Sequence, residues 1–206
     1  MKVSALFLLL TLPLFCFSQN DDETSDGYST ANDYIFKIAK NYFHPNPYET
    51  DFGSFLKHLL NDPGLINKTT HKKTDSSLFS FQAQYKNYSP FGFLADRTEV
   101  KLLEREIVFD SSLSQKDTLF IYQLFGFAFN GDAGLKAVKN EYSKFTHHYG
   151  KHFNTETSEI KKGDAVVGER QDYYVTGFPV SPITVGWAKF DEYQNAFILT
   201  VRFKPQ

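Results

Sequence analysis

Residues 119–129 read LFIYQLFGFAF, and the interpretation of the whole chain starts from this stretch. Side chains alternate between the two faces of a β-strand, and both alternating sets are largely apolar here. A strand that is apolar on both sides is typically covered on both sides, so we expect it inside a sheet. A buried helix is the competing interpretation, because periodicity alone does not separate the two. The aromatic and β-branched residues favour the strand.

The flanking sequence predicts further strands and three helices. Helical spacing of apolar residues indicates two short helices, over residues 31–43 and 52–60, and a longer one from residue 133 towards residue 152. The long helix carries one apolar stripe, which consists of Leu135, Val138, Tyr142, Phe145 and Tyr149. Besides the central stretch, strands are predicted over residues 65–73 (a polar edge candidate), 77–88, 98–109, 165–178, 183–190 and 196–204.

Clustered strands joined by hairpin turns favour an antiparallel arrangement over a doubly wound one. We therefore predict a single α+β domain over residues 31–206. It contains a mainly antiparallel, curved sheet of about six to seven strands, one long packed helix and an N-terminal helix pair.

The first 18 residues have the pattern of an export signal. Lys2 precedes an apolar run of about 15 residues, which is shorter than the roughly 20 needed to span a bilayer. Cys16 and Ser18 place small residues at the positions that signal peptidase reads, so cleavage is expected after Ser18. A lipid anchor on Cys16 is the alternative, which bulky Phe15 disfavours. Residues 1–18 are thus predicted to be a cleaved signal peptide and residues 19–30 a disordered acidic tether.

Export predicts a periplasmic or secreted protein, soluble and without a transmembrane segment in its mature chain. Cys16 is the single cysteine, so cleavage leaves no thiol for catalysis, disulfide formation or metal binding. The formal net charge of −2 gives no reason to expect nucleic acid as a partner. The sequence contains no P-loop, nucleophile elbow, dinucleotide fingerprint or metalloprotease motif, so no cofactor is predicted and the interpretation leans away from an enzyme.

Two groups of residues are candidates for a binding site. Aromatic residues that could line a cleft between the sheet and the helices are Tyr122, Phe125, Tyr142, Tyr173, Tyr174 and Trp187; ordinary core packing is their alternative role. His148 and His152 are four residues apart on the long helix, and Glu141 lies seven before His148, so the three could hold a metal ion. Solvated imidazoles at a fraying helix end are the alternative.

Charged residues supply two further hypotheses. Glu104 and Glu106 share one strand face and could act as a catalytic carboxylate pair, although a solvated, charged face explains them too. The outer face of the long helix is basic and could dock an acidic partner. Its residues are Lys136, Lys139, Lys144, His147 and Lys151.

The sequence therefore predicts an exported, non-catalytic domain that binds a small apolar ligand or a protein partner. The alternatives are a hydrolase with carboxylate or histidine chemistry, and a structural accessory protein of the cell envelope.

Overall fold

The computed structural model describes residues 30–74, 78–108, 116–176 and 180–205. In chain order its elements are α1 (Ala31–Tyr42), α2 (Phe52–Asn61), β1 (Leu65–His71), β2 (Ser80–Tyr85), β3 (Arg97–Val108), β4 (Lys116–Ala128), α3 (Gly131–Tyr149), β5 (Asn154–Lys162), β6 (Ala165–Tyr174), β7 (Ile183–Lys189) and β8 (Asn195–Phe203). One turn of 3₁₀-helix, Gly150–His152, follows α3. The predicted signal peptide and residues 19–29 of the tether lie outside the described residues.

The described strands form one sheet in the order β1-β2-β3-β4-β8-β7-β6-β5. Every pair of neighbours is antiparallel. The LFIYQLFGFAF segment belongs to β4, which lies between β3 and β8, so its predicted interior position in an antiparallel α+β sheet is confirmed. The predicted count of about six to seven strands was too low, because the sheet has eight.

The strand that the sequence did not reveal is β5. Its residues NTETSEIKK are nearly all exposed, and it pairs with β6 alone. An edge strand with no buried face lacks the alternation of polar and apolar residues by which strands are recognised. β1 is the opposite edge and is also polar, in agreement with the prediction for residues 65–73.

The three α-helices of the described residues lie on one face of the sheet. Their buried residues share a single core cluster with Leu102, Tyr122, Leu124 and Leu199. The predicted stripe of α3 packs into this core, with Val138, Tyr142, Phe145 and Tyr149 buried and Leu135 partly buried. The N-terminal helix pair is also present as predicted. Asp51 caps α2 by accepting a hydrogen bond from the amide of Ser54 at 3.0 Å, as expected for an N-cap.

The opposite face differs from the expectation that a second layer covers the central strand. Phe125 and Phe127 of β4 form a small cluster there with Ala196 and Ile198, and no helix packs over it within the described part of the chain. Cationic side chains partly cover these rings instead. The Arg97 guanidinium carbon lies 4.4 Å from the centroid of the Phe127 ring, and the Lys101 ammonium lies 5.1 Å from that of Phe125. Their aliphatic stems bury apolar surface while the charges stay near solvent.

Among the described residues, no helix is both long and apolar enough to span a membrane.

Candidate ligand-binding site

A cavity of about 490 Å³ opens at one end of the sheet, where β4 begins and β8 ends. It is bounded by the first turns of α1, the segment between α1 and α2, and residues 180–182 before β7. The lining residues are Asn32, Ile35, Phe36, Pro47, Tyr48, Thr50, Phe52, Leu119, Val180, Pro182, Arg202, Phe203 and Lys204. Most of this lining is apolar, as in sites that take small molecules, and the volume lies within their usual range.

The wall from α1 follows from the amphipathic pattern of that helix. Ile35 is 6% exposed and belongs to the core, whereas its neighbour Phe36 is 52% exposed. Phe36 contacts Tyr48 edge to face, with ring centroids 5.2 Å apart. The exposed side of Phe36 therefore adds to the rim of the cavity.

Tyr48 ties the connection between the helices to the end of the sheet. Its hydroxyl donates a hydrogen bond to the carbonyl oxygen of Arg202 at 3.3 Å, and its ring packs edge-on against Phe203 at 6.0 Å. Burial raises the pKa of the Tyr48 hydroxyl well above its usual value, so this group is a neutral donor at all physiological pH values. The segment is thereby held beside β8 and keeps the cavity wall in place.

Two aromatic residues, Phe52 and Phe203, form the floor of the cavity, and Phe120 packs behind them. Phe52, the first residue of α2, lies 4.2 Å from Phe120 and 6.3 Å from Phe203 between ring centroids. Phe120 and Phe203 are directly paired across β4 and β8. Such clusters contribute both burial of apolar area and favourable ring geometry. The floor therefore offers contact area to an apolar ligand without any rearrangement of hydrogen bonds.

The polar part of the lining is concentrated at the end of β8. Nη1 of Arg202 donates to the carbonyl of Ser181 at 2.9 Å and to Oγ1 of Thr184 at 2.7 Å. Thr184 in turn donates to Oδ1 of Asp172 at 2.5 Å. Burial lowers the pKa of the Arg202 guanidinium, and the charge of Asp172 opposes that change. The guanidinium is therefore a fixed and partly desolvated cation, held with Thr184 and Asp172 on the face of the sheet opposite the helices.

The structure does not bring the six aromatic candidates together. Tyr122, Tyr142 and Tyr173 are buried in the core beneath the helices, whereas Phe125 lies on the opposite face of the sheet. Trp187 is partly buried in the core, with the Lys139 ammonium 4.1 Å from its ring centroid. Tyr174 lines a second cavity of about 350 Å³ beside His152. None of the six lines the 490 Å³ cavity.

The three predicted metal ligands also have separate surroundings. Glu141 is buried and accepts a hydrogen bond from the amide of Gly92 at 3.1 Å. α3 ends at Tyr149, so His152 lies on the following 3₁₀ turn and not four residues along the same helix as His148. No group of three or more His, Cys, Asp or Glu side chains is placed to hold a metal ion in the described residues. A zinc titration that compares the protein with His148→Ala tests the hypothesis.

The carboxylate pair occupies two different environments. Glu104 is buried, and its carboxylate contacts the Lys73 ammonium and the amide of Phe79. Glu106 is exposed. Neither residue lines either of the two cavities. The five residues of the basic face of α3 and the turn that follows, from Lys136 to Lys151, are all exposed, as predicted.

Sequence reasoning missed the residues that line the main cavity. Arg202 and Lys204 belong to the last predicted strand and its end, but their nearness to α1 depends on how the helices dock. The local sequence signal for the cavity is a set of apolar residues that belong to no core-facing stripe. These are Phe36, which is 52% exposed, and Pro47 and Tyr48. Such residues are common on surfaces, so the signal did not stand out.

No protein-family model matches the chain, and searches of curated proteins and of solved structures found no match either.

Proposed function

We propose that this protein is an exported, non-catalytic binding protein, and that a small apolar molecule occupies the cavity between α1, α2 and the end of β8. The single observation that carries the proposal is an open-mouthed cavity of about 490 Å³ lined mainly by apolar side chains. Sites for small molecules have this size and this predominance of apolar lining. The aromatic floor and the half-exposed ring of Phe36 supply the contact area.

Binding is favoured over hydrolysis by the chemistry of the lining. Its polar side chains are those of Asn32, Tyr48, Thr50, Arg202 and Lys204. These groups can orient a ligand by hydrogen bonds or charge, whereas hydrolysis by paired carboxylates needs an acid and a base on either side of the scissile bond. The two glutamates considered for that role lie elsewhere.

Titration with phenylnaphthylamine, a neutral dye whose fluorescence rises in apolar surroundings, tests the proposal. The protein should enhance the dye's fluorescence in a saturable manner. Thr50 lines the cavity and is exposed, so Thr50→Trp should place an indole in the opening and weaken binding by about tenfold or more. Lys57→Trp is the matched control, because Lys57 is also exposed and does not line the cavity.

The proposal is wrong if the dye does not bind, or if both tryptophan variants bind it as well as the unmodified protein does. Melting curves of the two variants should agree with that of the parent, which shows that a weaker signal reflects the cavity and not partial unfolding.

Export is part of the same proposal. When the chain is produced with its own N-terminus in a bacterial host, we expect an intact mass that lacks residues 1–18. Cys16→Ala should leave this mass change in place if a signal peptidase cleaves after Ser18. Loss of processing, or of membrane attachment, in that variant would indicate a lipid anchor instead.

A further inference from the structure

The solvent-exposed side of α3 and of the turn after it carries basic groups and no acidic one. Its exposed lysines and histidines, referred to below as the cationic face, are Lys136, Lys139, Lys144, His147, His148 and Lys151. The single acid of residues 133–152 is Glu141, which is buried and accepts a hydrogen bond from the amide of Gly92 at 3.1 Å. The exposed side chains of this segment therefore carry no negative charge.

An ordinary solvated helix differs from α3 in its pattern of charge. Exposed helices typically mix acids and bases, so that opposite charges three or four residues apart attract each other. From residue 133 onward, no exposed acid lies at either spacing from a lysine of the cationic face. The negative end of the helix dipole accounts for basic residues in the last turn, whereas Lys136, Lys139 and Lys144 lie before that turn. The helix thus holds repelling charges together without compensation from its own sequence, as expected of a surface that meets an anionic partner.

α1 extends the cationic face on one side. Tyr34 of α1 stacks on His152 in the turn after α3, with ring centroids 3.6 Å apart. The ammonium of Lys37 lies 4.7 Å from the centroid of the Tyr34 ring, so it is next to this junction. Burial lowers the pKa of His152, and the charges of Lys151, His148 and Lys37 lower it further. Cations from both helices therefore converge where α1 meets the end of α3.

The spread and the chemistry of these cations indicate an extended anionic partner. Lys136 and His148 both belong to α3, and their positions are about 18 Å apart along its axis at a rise of 1.5 Å per residue. One small anion cannot contact both. The face contains no arginine, whose planar fork suits specific bidentate contacts, and lysine ammonium groups act as point charges instead. The face therefore suits a diffuse layer of anions.

The composition of the face distinguishes a lipid surface from a protein or a nucleic acid. The centre of a protein interface is enriched in aromatic residues and depleted in lysine, and single-stranded nucleic acid stacks on exposed aromatic side chains. None of the exposed large apolar side chains belongs to residues 131–152. A lysine-rich surface without an apolar centre matches the headgroups of an anionic bilayer, which attract basic residues by charge alone.

We propose that the cationic face docks this protein on a membrane surface rich in anionic phospholipid. α3 then lies parallel to the bilayer, and the face of the sheet opposite the helices points away from it. The lysines contact the headgroups, and no apolar side chain of α3 enters the bilayer. This surface is separate from the cavity between α1, α2 and β8, so the inference does not depend on the proposed function.

Cosedimentation with vesicles tests the inference on the unmodified protein. An equimolar mixture of phosphatidylcholine and phosphatidylglycerol supplies an anionic surface, and phosphatidylcholine alone supplies a neutral one. We expect the protein to bind the anionic vesicles and not the neutral ones. The partition coefficient should fall steeply as salt is added, because salt screens the attraction between exposed charges.

A matched pair of triple variants locates the contact. Lys136→Gln, Lys144→Gln and Lys151→Gln together should lower the partition coefficient by about 100-fold, since each lysine near an anionic surface contributes about fivefold. The control replaces three exposed lysines outside the helices by glutamine: Lys72, Lys86 and Lys162. Both variants lose the same charge, so a difference between them reports its position. Their melting curves and phenylnaphthylamine titrations should match those of the parent.

The inference is wrong if the anionic vesicles do not bind, if neutral vesicles bind equally well, or if the two triple variants lose affinity equally. Binding to poly-glutamate but not to vesicles, with the same dependence on the three lysines of the cationic face, would assign the face to an acidic protein and also overturn the inference. None of these results changes the outcome of the dye titration, so the proposed function stands or fails independently.

Discussion

The ammonium of Lys73 lies 2.5 Å from Oε1 of Glu104, and the two residues are very unequally exposed. The lysine side chain is 54% exposed, whereas that of the glutamate is 5% exposed. Oε2 of the same carboxylate accepts a hydrogen bond from the amide of Phe79 at 2.9 Å. Burial by itself would raise the pKa of Glu104, but the lysine and the amide outweigh burial and lower it. Because Lys73 lies in the segment between β1 and β2, its contact with Glu104 holds that segment against β3.

The first prediction concerns the stability that this buried carboxylate provides. Glu104→Gln should lower the free energy of unfolding at neutral pH by about 1–3 kcal/mol, because the charge-assisted contact with Lys73 is lost from a buried site. Glu106→Gln is the control, since Glu106 lies two residues along the same strand but is exposed. The measurement is urea unfolding of the two variants and the parent at the same pH.

The pH dependence of this contribution has a defined sign. The folded-state pKa of Glu104 is lowered, so its contribution is present above the unfolded pKa and is lost as pH falls through the folded value. The gap between the parent and Glu104→Gln should therefore shrink on acidification. A gap that stays constant, or an equal loss in Glu106→Gln, would contradict the assignment.

The second prediction is that Glu141 behaves in the opposite way. Burial raises the pKa of this carboxyl, and the amide of Gly92 and the charge of Lys144 offset the rise only in part. When the folded pKa lies above the unfolded one, the folded state binds the proton more tightly, so stability falls as pH rises through that interval. Glu141→Gln should therefore raise the melting temperature at pH above neutrality, while its carbonyl still accepts from Gly92.

Thermal melts at several pH values check this second prediction, with Asp132→Asn as a control at an exposed position near the start of α3. The two buried glutamates are expected to change stability in opposite directions upon neutralisation. A loss of stability in Glu141→Gln at high pH would contradict this prediction, because it would show that the ionised carboxylate stabilises the folded state.

The elements that could be predicted from the sequence are those with a buried face, because burial of one face requires apolar residues at regular spacing. α3 was recognised because its apolar residues recur every three to four positions, and β4 because both of its alternating sets are apolar. β5 escaped because an exposed edge strand leaves no such period. Likewise, the cavity lining depends on how α1 and α2 dock against the ends of β4 and β8, which no local pattern encodes.

The aromatic candidates failed to converge for a related reason. Tyr122 and Phe125 are three residues apart on one strand, so they project from opposite faces of the sheet and cannot line the same side of one pocket. Choosing residues by type alone ignored this alternation. The rule was available from the sequence, and it would have separated Phe125 from Tyr122.

The third prediction concerns the close approach of Phe91 to β4. A Cβ atom at Gly126 would lie under 3.0 Å from ring carbons of Phe91, and that ring is 5.5 Å from Phe197 between centroids. Gly126→Ala should therefore destabilise the protein by about 1–3 kcal/mol through overpacking. In a Phe91→Leu background the same change should cost clearly less, because the smaller side chain leaves room. Additive losses in this double-mutant cycle would argue against the contact.

The last prediction concerns the ring stack that joins α1 to the turn after α3. Tyr34 and His152 are nearly parallel, at 14°, with centroids 3.6 Å apart. His152→Ala should lower the free energy of unfolding by about 0.5–1.5 kcal/mol, whereas His148→Ala at an exposed position should change it little.

The contribution of the stack should depend on pH. Burial, followed by the charges of Lys151, His148 and Lys37, lowers the pKa of His152. The unfolded state therefore takes up the proton first, and the stabilising effect of the stack should decline as pH falls below about 6.5. Denaturant unfolding at neutral and mildly acidic pH measures both effects, and equal losses for the two histidine variants would contradict the role assigned to the stack.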